Sequence, residues 1–84
     1  EEFICFLPNT NIDTANIIAE RLRREVENFK FKVKDIDIKI TVSIGISEID
    51  VIEDNSDISS IIIKADEALY KAKRSGRNKV MHIH

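Results

Sequence analysis

The chain has 84 residues and a mass of 9.6 kDa, with 43% hydrophobic residues, 33% charged residues and a formal net charge of -2. This balance is typical of a globular domain or part of one, and it excludes a disordered tail, a collagen-like repeat and a general nucleic-acid binder. The longest apolar run is residues 3–7, against roughly 20 residues needed to cross a bilayer, so no membrane contact by this segment is expected. One cysteine excludes an internal disulfide or a zinc cage, and because no secretory leader is recognisable we expect a reducing cytoplasm.

The first two predicted elements are a buried strand and an amphipathic helix. Residues 3–7 (FICFL) are apolar at every position and are stopped by Pro8, which predicts a central strand covered on both faces. N-cap candidates between Asn9 and Asp13 precede apolar residues at helical spacing, which predict a helix. This apolar stripe consists of Ala15, Ile18, Ala19, Leu22, Val26 and Phe29. Glutamates are interleaved with the arginines on its other faces, which favours a solvated surface over an arginine cluster that binds phosphate.

The middle of the chain predicts two further strands. Residues 29–34 favour a short strand with a turn near Asp35, and isoleucine or valine then alternates with polar residues and Gly45 over residues 36–47. This period of two predicts one long strand with one face on a core. Gly45 lies on the polar side of that strand, where it marks either close approach of another backbone or the edge of a ligand site.

The last third of the chain predicts a second helix and a closing strand. Ser56 or Asp57 can cap the helix, and Gly76 supplies the left-handed stop after its last turn. Its apolar stripe consists of Ile58, Ile61, Ile62, Ala65, Leu69 and Ala72. Residues 79–84 then favour a short strand. The predicted order βαββαβ is an α+β layer pattern.

Two groups of residues can carry chemistry. Glu1 and Glu2 stand side by side at the head of the first predicted strand, where adjacent carboxylates form either a Mg²⁺ site or a solvated pair. Residues 64–79 hold six basic residues against two acidic ones. The basic residues are Lys64, Lys71, Lys73, Arg74, Arg77 and Lys79. They either complement the dipole at a helix C-terminus or bind phosphate, and the residues alone leave both interpretations open.

Three sequence blocks resemble the GGDEF domain family. Residues 1–3 (EEF), followed by an apolar run, resemble the end of its GG[D/E]EF signature, and residues 41–46 (TVSIGI) resemble its T-[VI]-S-[IV]-G-[VI] strand. Residues 65–78 (ADEALYKAKRSGRN) resemble its A-D-x-A-L-Y-x-A-K-x-x-G-R-N block. The blocks come in the family's order and cover essentially the whole chain. We therefore expect residues 1–84 to be the C-terminal portion of a single, truncated GGDEF domain that starts inside the signature.

The resemblance implies a fold and an activity. The fold would be like the palm of nucleotidyl cyclases and polymerases, a ferredoxin-like arrangement with a mixed or antiparallel sheet and helices packed on it. The activity would be that of a diguanylate cyclase, a nucleotidyltransferase that condenses two GTP molecules into cyclic di-GMP in bacterial second-messenger signalling. Two such domains, each with one GTP, would face each other as a homodimer. The location would be cytoplasmic, with any membrane anchor supplied by other domains of the parent protein.

The resemblance also implies roles for four residues. Glu1 matches the third position of the signature, a catalytic metal ligand, and Glu2 matches the fourth, which is tied to the same metal site. The metal would be Mg²⁺ or Mn²⁺, and the substrate would be GTP. Lys73 and Arg77 match residues that hold the triphosphate. Metal and cations would together neutralise the phosphate charge while a 3′-hydroxyl attacks the α-phosphorus.

Several features of the family have no counterpart in these residues. They are the two glycines before Glu1, an aspartate metal ligand, the guanine-reading residues, the first central strand and the RxxD inhibitory site. We therefore expect the parent protein to make cyclic di-GMP and the 84 residues alone to be inactive. We also expect residues 3–7 to pair either with a strand of another molecule or with residues of the parent protein outside this sequence. The alternative is a non-catalytic GGDEF-type domain used for GTP binding or dimerisation. The acid at Glu1 favours the catalytic interpretation.

Overall fold

The computed structural model describes residues 2–48 and 58–83. These ranges contain helices α1 (Ile12–Asn28) and α2 (Ile58–Arg74) and strands β1 (Phe31–Val33), β2 (Ile36–Ile38), β3 (Ile44–Ile46) and β4 (Val80–His82). The predicted α+β class is confirmed, and both predicted helices and the closing strand are present. The cap predicted at Ser56 or Asp57 lies outside the described residues. No helix in the described ranges is long and apolar enough to span a membrane.

Two side chains, one amide and one carboxylate, cap the start of helix α1. The Asn11 side-chain oxygen accepts a hydrogen bond from the Thr14 N–H at 2.8 Å, and Glu48 Oε2 accepts one from the Ile12 N–H at 3.0 Å. These bonds satisfy two of the N–H groups that a helix leaves without intrahelical partners. Because Glu48 lies 36 residues away in sequence, the second cap also ties the start of α1 to the residues that follow β3.

Strands β1 and β2 form a tight antiparallel hairpin. Val33 pairs with Ile36, and the two residues between them, Lys34 and Asp35, have φ angles of 52° and 66°. Two successive positive φ angles are the geometry of a type I′ turn, whose twist matches that of the flanking strands. The predicted short strand and the turn near Asp35 are therefore confirmed.

The prediction of one continuous strand over residues 36–47 is wrong. The chain forms two separate strands there, and they have different partners: β2 pairs antiparallel with β1, and β3 pairs parallel with β4. Side-chain alternation reports an extended backbone but carries no information about which strand lies beside it. The isoleucines of the first half, Ile36, Ile38 and Ile40, are exposed, since the hairpin is not covered by either helix.

The core lies where the helices cover the β3–β4 pair. Within the described residues both helices pack against this pair, and no Cα atom of one helix lies within 8 Å of a Cα atom of the other. A Cβ placed on Gly45 would lie 2.8 Å from Leu69 Cα and still closer to the Ala65 carbonyl oxygen, so strand backbone lies directly on helix backbone. Of the two interpretations of Gly45, close backbone packing is the one observed. On the same helix, Ala68 and Ala72 are fully buried.

The central strand predicted over residues 3–7 is absent. The structure has no strand in this segment; Phe3 is 90% exposed, and Ile4, Cys5 and Phe6 are exposed as well. A central strand requires hydrogen-bonded neighbours, and both described strand pairs form without this segment. Within residues 2–48 and 58–83 the order of elements is therefore αβββαβ, without the strand predicted before α1. The apolar composition of residues 3–7 favours a β-strand, but no strand in the described part of the chain pairs with this segment.

Candidate phosphate and metal site

The structure brings together two of the four predicted site residues. Lys73 Nζ lies 3.2 Å from Glu2 Oε2, although the two residues are 71 positions apart in sequence. The Lys73 side chain is 37% exposed and that of Glu2 is 58% exposed, so both groups can reach a ligand from solvent. A carboxylate predicted to bind metal thus stands beside an ammonium group predicted to bind phosphate.

Packing of α2 explains where Lys73 stands. Ala68 and Ala72 occupy the buried face of the helix, and Lys73 directly follows Ala72 in the last turn. The neighbouring Arg74 guanidinium lies 5.7 Å from the centre of the Tyr70 ring, a cation–π arrangement on the outer surface of the helix. Lys73 is therefore held at the rim of the packed face, whereas Arg74 is directed onto its own helix.

The fourth predicted residue, Arg77, lies in the turn that ends α2. Gly76 has a φ of 119°, and Arg77 continues with a positive φ of 60°. The Arg77 N–H donates to the Ala72 carbonyl at 2.9 Å, and the Ser75 hydroxyl donates to the Lys71 carbonyl at 2.7 Å. These bonds close the last turn of the helix, and the stop predicted at Gly76 is confirmed. The Arg77 side chain is exposed, and no hydrogen bond or ion pair within the described ranges joins it to Glu2 or Lys73.

Asn78, which follows Arg77, is the polar residue that fastens this turn to the rest of the fold. Its side-chain oxygen accepts a hydrogen bond from Arg23 at 2.9 Å, its amide group donates to Glu27, and its backbone N–H donates to Ser43 Oγ at 3.1 Å. Asn78 therefore joins the end of α2 to α1 and to the residue before β3. The sequence carried only a weak signal for it, as the last letter of the GRN block.

The solvated surface predicted for the arginines of α1 is wrong for Arg23. Its side chain is only 13% exposed, and its Nε donates to both oxygens of Glu20, at 3.0 and 3.1 Å. The Arg23 hydrogen bond lowers the pKa of Glu20, and the Asn78 amide, with Arg23 nearby, lowers the pKa of Glu27. The alternating charges of α1 thus build a fixed ion network on the side of the helix that faces Asn78.

The proposed metal site is described only in part. Glu1 lies outside the described residues, so the pairing of Glu1 with Glu2 stays a prediction. In residues 2–48 and 58–83, no group of three or more His, Cys, Asp or Glu side chains could hold a metal ion. The exposed Glu2 carboxylate does have the chemistry that Mg²⁺ prefers, since hard cations take oxygen ligands and often use one or two carboxylates together with substrate phosphates.

Comparison with known proteins gives a consistent result. The family model of the diguanylate cyclase GGDEF domain matches residues 1–79. Diguanylate cyclase A of Treponema denticola is 41% identical over 80 residues, which are 95% of this chain and 21% of that protein. Diguanylate cyclase DgcM of Escherichia coli K12 is 40% identical over 81 residues, which are 96% of this chain and 18% of that protein. The chain thus spans about a fifth of the length of these relatives.

Solved structures agree with the sequence relatives. The GGDEF domain of DgcB from Caulobacter crescentus, crystallised in complex with c-di-GMP, matches with a TM-score of 0.82 and 32% identity over 90% of this chain and 44% of that one. The active GGEEF domain of a diguanylate cyclase from Vibrio cholerae matches with a TM-score of 0.77 and 33% identity over 93% of this chain and 47% of that one. The likeness therefore extends to fold and sequence together.

Proposed function

The chain belongs to the GGDEF domain family, and from this premise we propose that the protein containing it is a diguanylate cyclase. Such an enzyme joins two GTP molecules into cyclic di-GMP and releases two pyrophosphates. The observation that carries the proposal is the 3.2 Å contact between Lys73 and Glu2. It brings an ammonium group suited to binding phosphate beside a carboxylate suited to binding a metal ion, and both groups are at the surface. Phosphoryl transfer draws mainly on such positioning and charge neutralisation.

Each predicted site residue has a role in this proposal. Lys73, a point charge on a flexible stem, and Arg77, a planar fork, hold the triphosphate. Glu1 and Glu2 hold a divalent ion, Mg²⁺ or Mn²⁺, which when bound supplies neutralisation of the phosphate charge. Glu2 also orients the Lys73 ammonium group before substrate binds, since the two side chains are already paired.

The proposal includes partners and a location. Each domain supplies one GTP, so a second GGDEF domain must face the first one, and we propose a homodimer. The exposed segment of residues 3–7 supports sheet contacts with a strand from outside the described residues, because an uncovered β-favouring apolar run is a template for pairing. The setting is bacterial signalling in the cytoplasm, where GTP is available.

The test is product formation by the full-length protein. Purified protein is incubated with GTP and Mg²⁺, and cyclic di-GMP is measured by chromatography, with a Lys73→Ala variant as the paired sample. The proposal expects cyclic di-GMP from the wild type and much less from the variant. Binding of GTP without any product would instead support the alternative, a non-catalytic GGDEF-type domain that binds GTP or dimerises.

A further inference from the structure

The turn after α2 has a backbone that requires support. Arg77 and Asn78 are consecutive non-glycine residues with positive φ angles of 60° and 49°. Such residues are uncommon and cost free energy, so they persist where surrounding contacts over-determine them. One of these contacts is the hydrogen bond that the Arg77 N–H donates to the Ala72 carbonyl at the end of the helix. The remaining support comes from Asn78, whose backbone N–H and both side-chain polar atoms are all engaged.

The support originates on α1, far away in sequence. Arg23 reaches Asn78 across 55 residues and Glu27 reaches it across 51. Arg23 is itself held between two carboxylates, Glu20 through Nε at 3.0 Å and Glu27 through a terminal nitrogen at 3.5 Å. Arg23 is therefore fixed on its own helix before it contacts the turn. Because the donor, Arg23, and the acceptor, Glu27, are both fixed, the Asn78 side-chain amide can adopt only one orientation.

We propose that Asn78, held by Arg23 and Glu27, is a positioning residue that sets the direction in which Arg77 leaves the turn and so aims its guanidinium at the GTP phosphates. The inference rests on the proposed function, since it gives Arg77 the phosphate role. Arg77 and Asn78 share a peptide bond, so any rotation of the Asn78 backbone moves Arg77. Lys73 lies within the last turn of α2, before the residues with positive φ angles, so its position does not depend on the Asn78 contacts.

A purely mechanical role for the same contacts makes a different prediction. If Asn78 only fastened α1 to the turn, its loss would lower stability, and its effect on GTP would add to that of losing Arg77. If Asn78 acts through Arg77, the two losses cannot add, because without the guanidinium there is nothing left to aim. A double-mutant cycle separates these cases.

The experiment measures, by calorimetry, binding of a GTP analogue with an uncleavable bridge between its α- and β-phosphates, together with Mg²⁺, to the full-length protein. The proteins are the wild type, Asn78→Ala, Arg77→Ala and the double variant. Loss of a charge-assisted hydrogen bond weakens binding by roughly 10–150-fold, which is the expectation for Arg77→Ala. Asn78→Ala retains the Arg77 guanidinium but no longer directs it, and the affinity for the analogue is expected to fall about tenfold. The double variant should bind as weakly as Arg77→Ala and no weaker.

Each other outcome overturns the inference in a recognisable way. Wild-type affinity in Asn78→Ala, or a double variant whose loss is the product of the two single losses, rejects positioning while the phosphate role of Arg77 stands. Wild-type affinity in Arg77→Ala rejects that phosphate role, and with it both this inference and that part of the proposed function.

A second pair of variants keeps the test valid if Asn78→Ala does not fold. Glu27→Gln retains an oxygen that can accept from the Asn78 amide, so analogue binding should stay within about twofold of the wild type, whereas Glu27→Ala should lose about as much as Asn78→Ala. Glu25→Ala removes a carboxylate from an exposed position of the same helix and serves as the matched control. Equal binding by Glu27→Ala and Glu25→Ala would contradict the inference.

Discussion

Replacing Gly45 by alanine tests how closely α2 rests on β3. The added methyl group would lie 2.8 Å from Leu69 Cα and nearer still to the Ala65 carbonyl oxygen, distances that no Cβ accommodates without movement of the backbone. Both opposing groups belong to the helix backbone, so neither can rotate aside as a flexible side chain would. Overpacking of a core costs about 1–3 kcal/mol, and the rigid surroundings place Gly45→Ala at the upper end of that range.

The measurement is the free energy of unfolding of the full-length protein in urea, with Gly76→Ala as the matched control. A Cβ on Gly76 has room, since its nearest neighbour is Lys79 Nζ at 3.5 Å, and its cost arises from a φ of 119°. A non-glycine residue in such a sparsely populated conformation costs of order 1–3 kcal/mol. Gly45→Ala should lose about 3 kcal/mol or more, because its clash is with backbone, and the control should lose less. A neutral Gly45→Ala, or one no worse than the control, would refute the packing argument.

Three further predictions follow from the same structure. Ala68→Leu, at a fully buried position, should lower the free energy of unfolding by about 1–3 kcal/mol in a urea titration, and a neutral result would show that the site has unfilled space. The hydrogen bond from Asn78 lowers the pKa of Glu27, so the contribution of this carboxylate to the free energy of unfolding is complete above its ordinary pKa of 4.5 and is lost as the pH falls through the lower folded value. As the pH is lowered from 4.5, the wild type should therefore lose more stability than Glu27→Gln, and equal slopes of stability against pH would contradict this. The 84 residues alone should form no cyclic di-GMP at an enzyme's rate, and clean turnover by them would disprove that expectation.

Local signals predicted the helices well. The start of α1 within the predicted range of residues 9–13 and the stop at Gly76 depend on residues within a few positions of each other, and the structure has both there. The predicted apolar stripe of α1 is only partly covered, since Ala15 and Ala19 are buried whereas Ile18, Leu22 and Phe29 are exposed. The parallel β3–β4 pair joins residues 36 positions apart, such as Ile44 and Val80, and no local pattern specifies it. The same limitation explains residues 3–7, whose composition favours a strand but cannot supply a neighbour.

The candidate site divides in the same way. Lys73 and Arg77 were predicted to bind phosphate through their resemblance to a family block. Glu2 was predicted to bind metal through its match to the signature and its place at the head of the first predicted strand, and these roles stay predictions. The contacts of Asn78 with Arg23 and Glu27 were missed because alternating charges on a helix usually face water, and only the tertiary fold brings Asn78 over them. A local sequence pattern can point to candidate ligand-binding groups, whereas side-chain contacts between distant segments are visible only in the tertiary structure.

The phosphate role of the α2 C-terminus is tested most directly by the GTP concentration at which the full-length protein reaches half its maximal rate. Lys73→Ala is compared with Lys71→Ala, which removes the same charge from an exposed position in the same helical turn. The account predicts that Lys73→Ala requires roughly 10–150 times more GTP, as expected for loss of a charge-assisted hydrogen bond, while Lys71→Ala stays within about twofold of the wild type. Equal GTP concentrations at half-maximal rate for the two variants would contradict the account. The basic residues would then serve only to complement the dipole at the C-terminus of the helix.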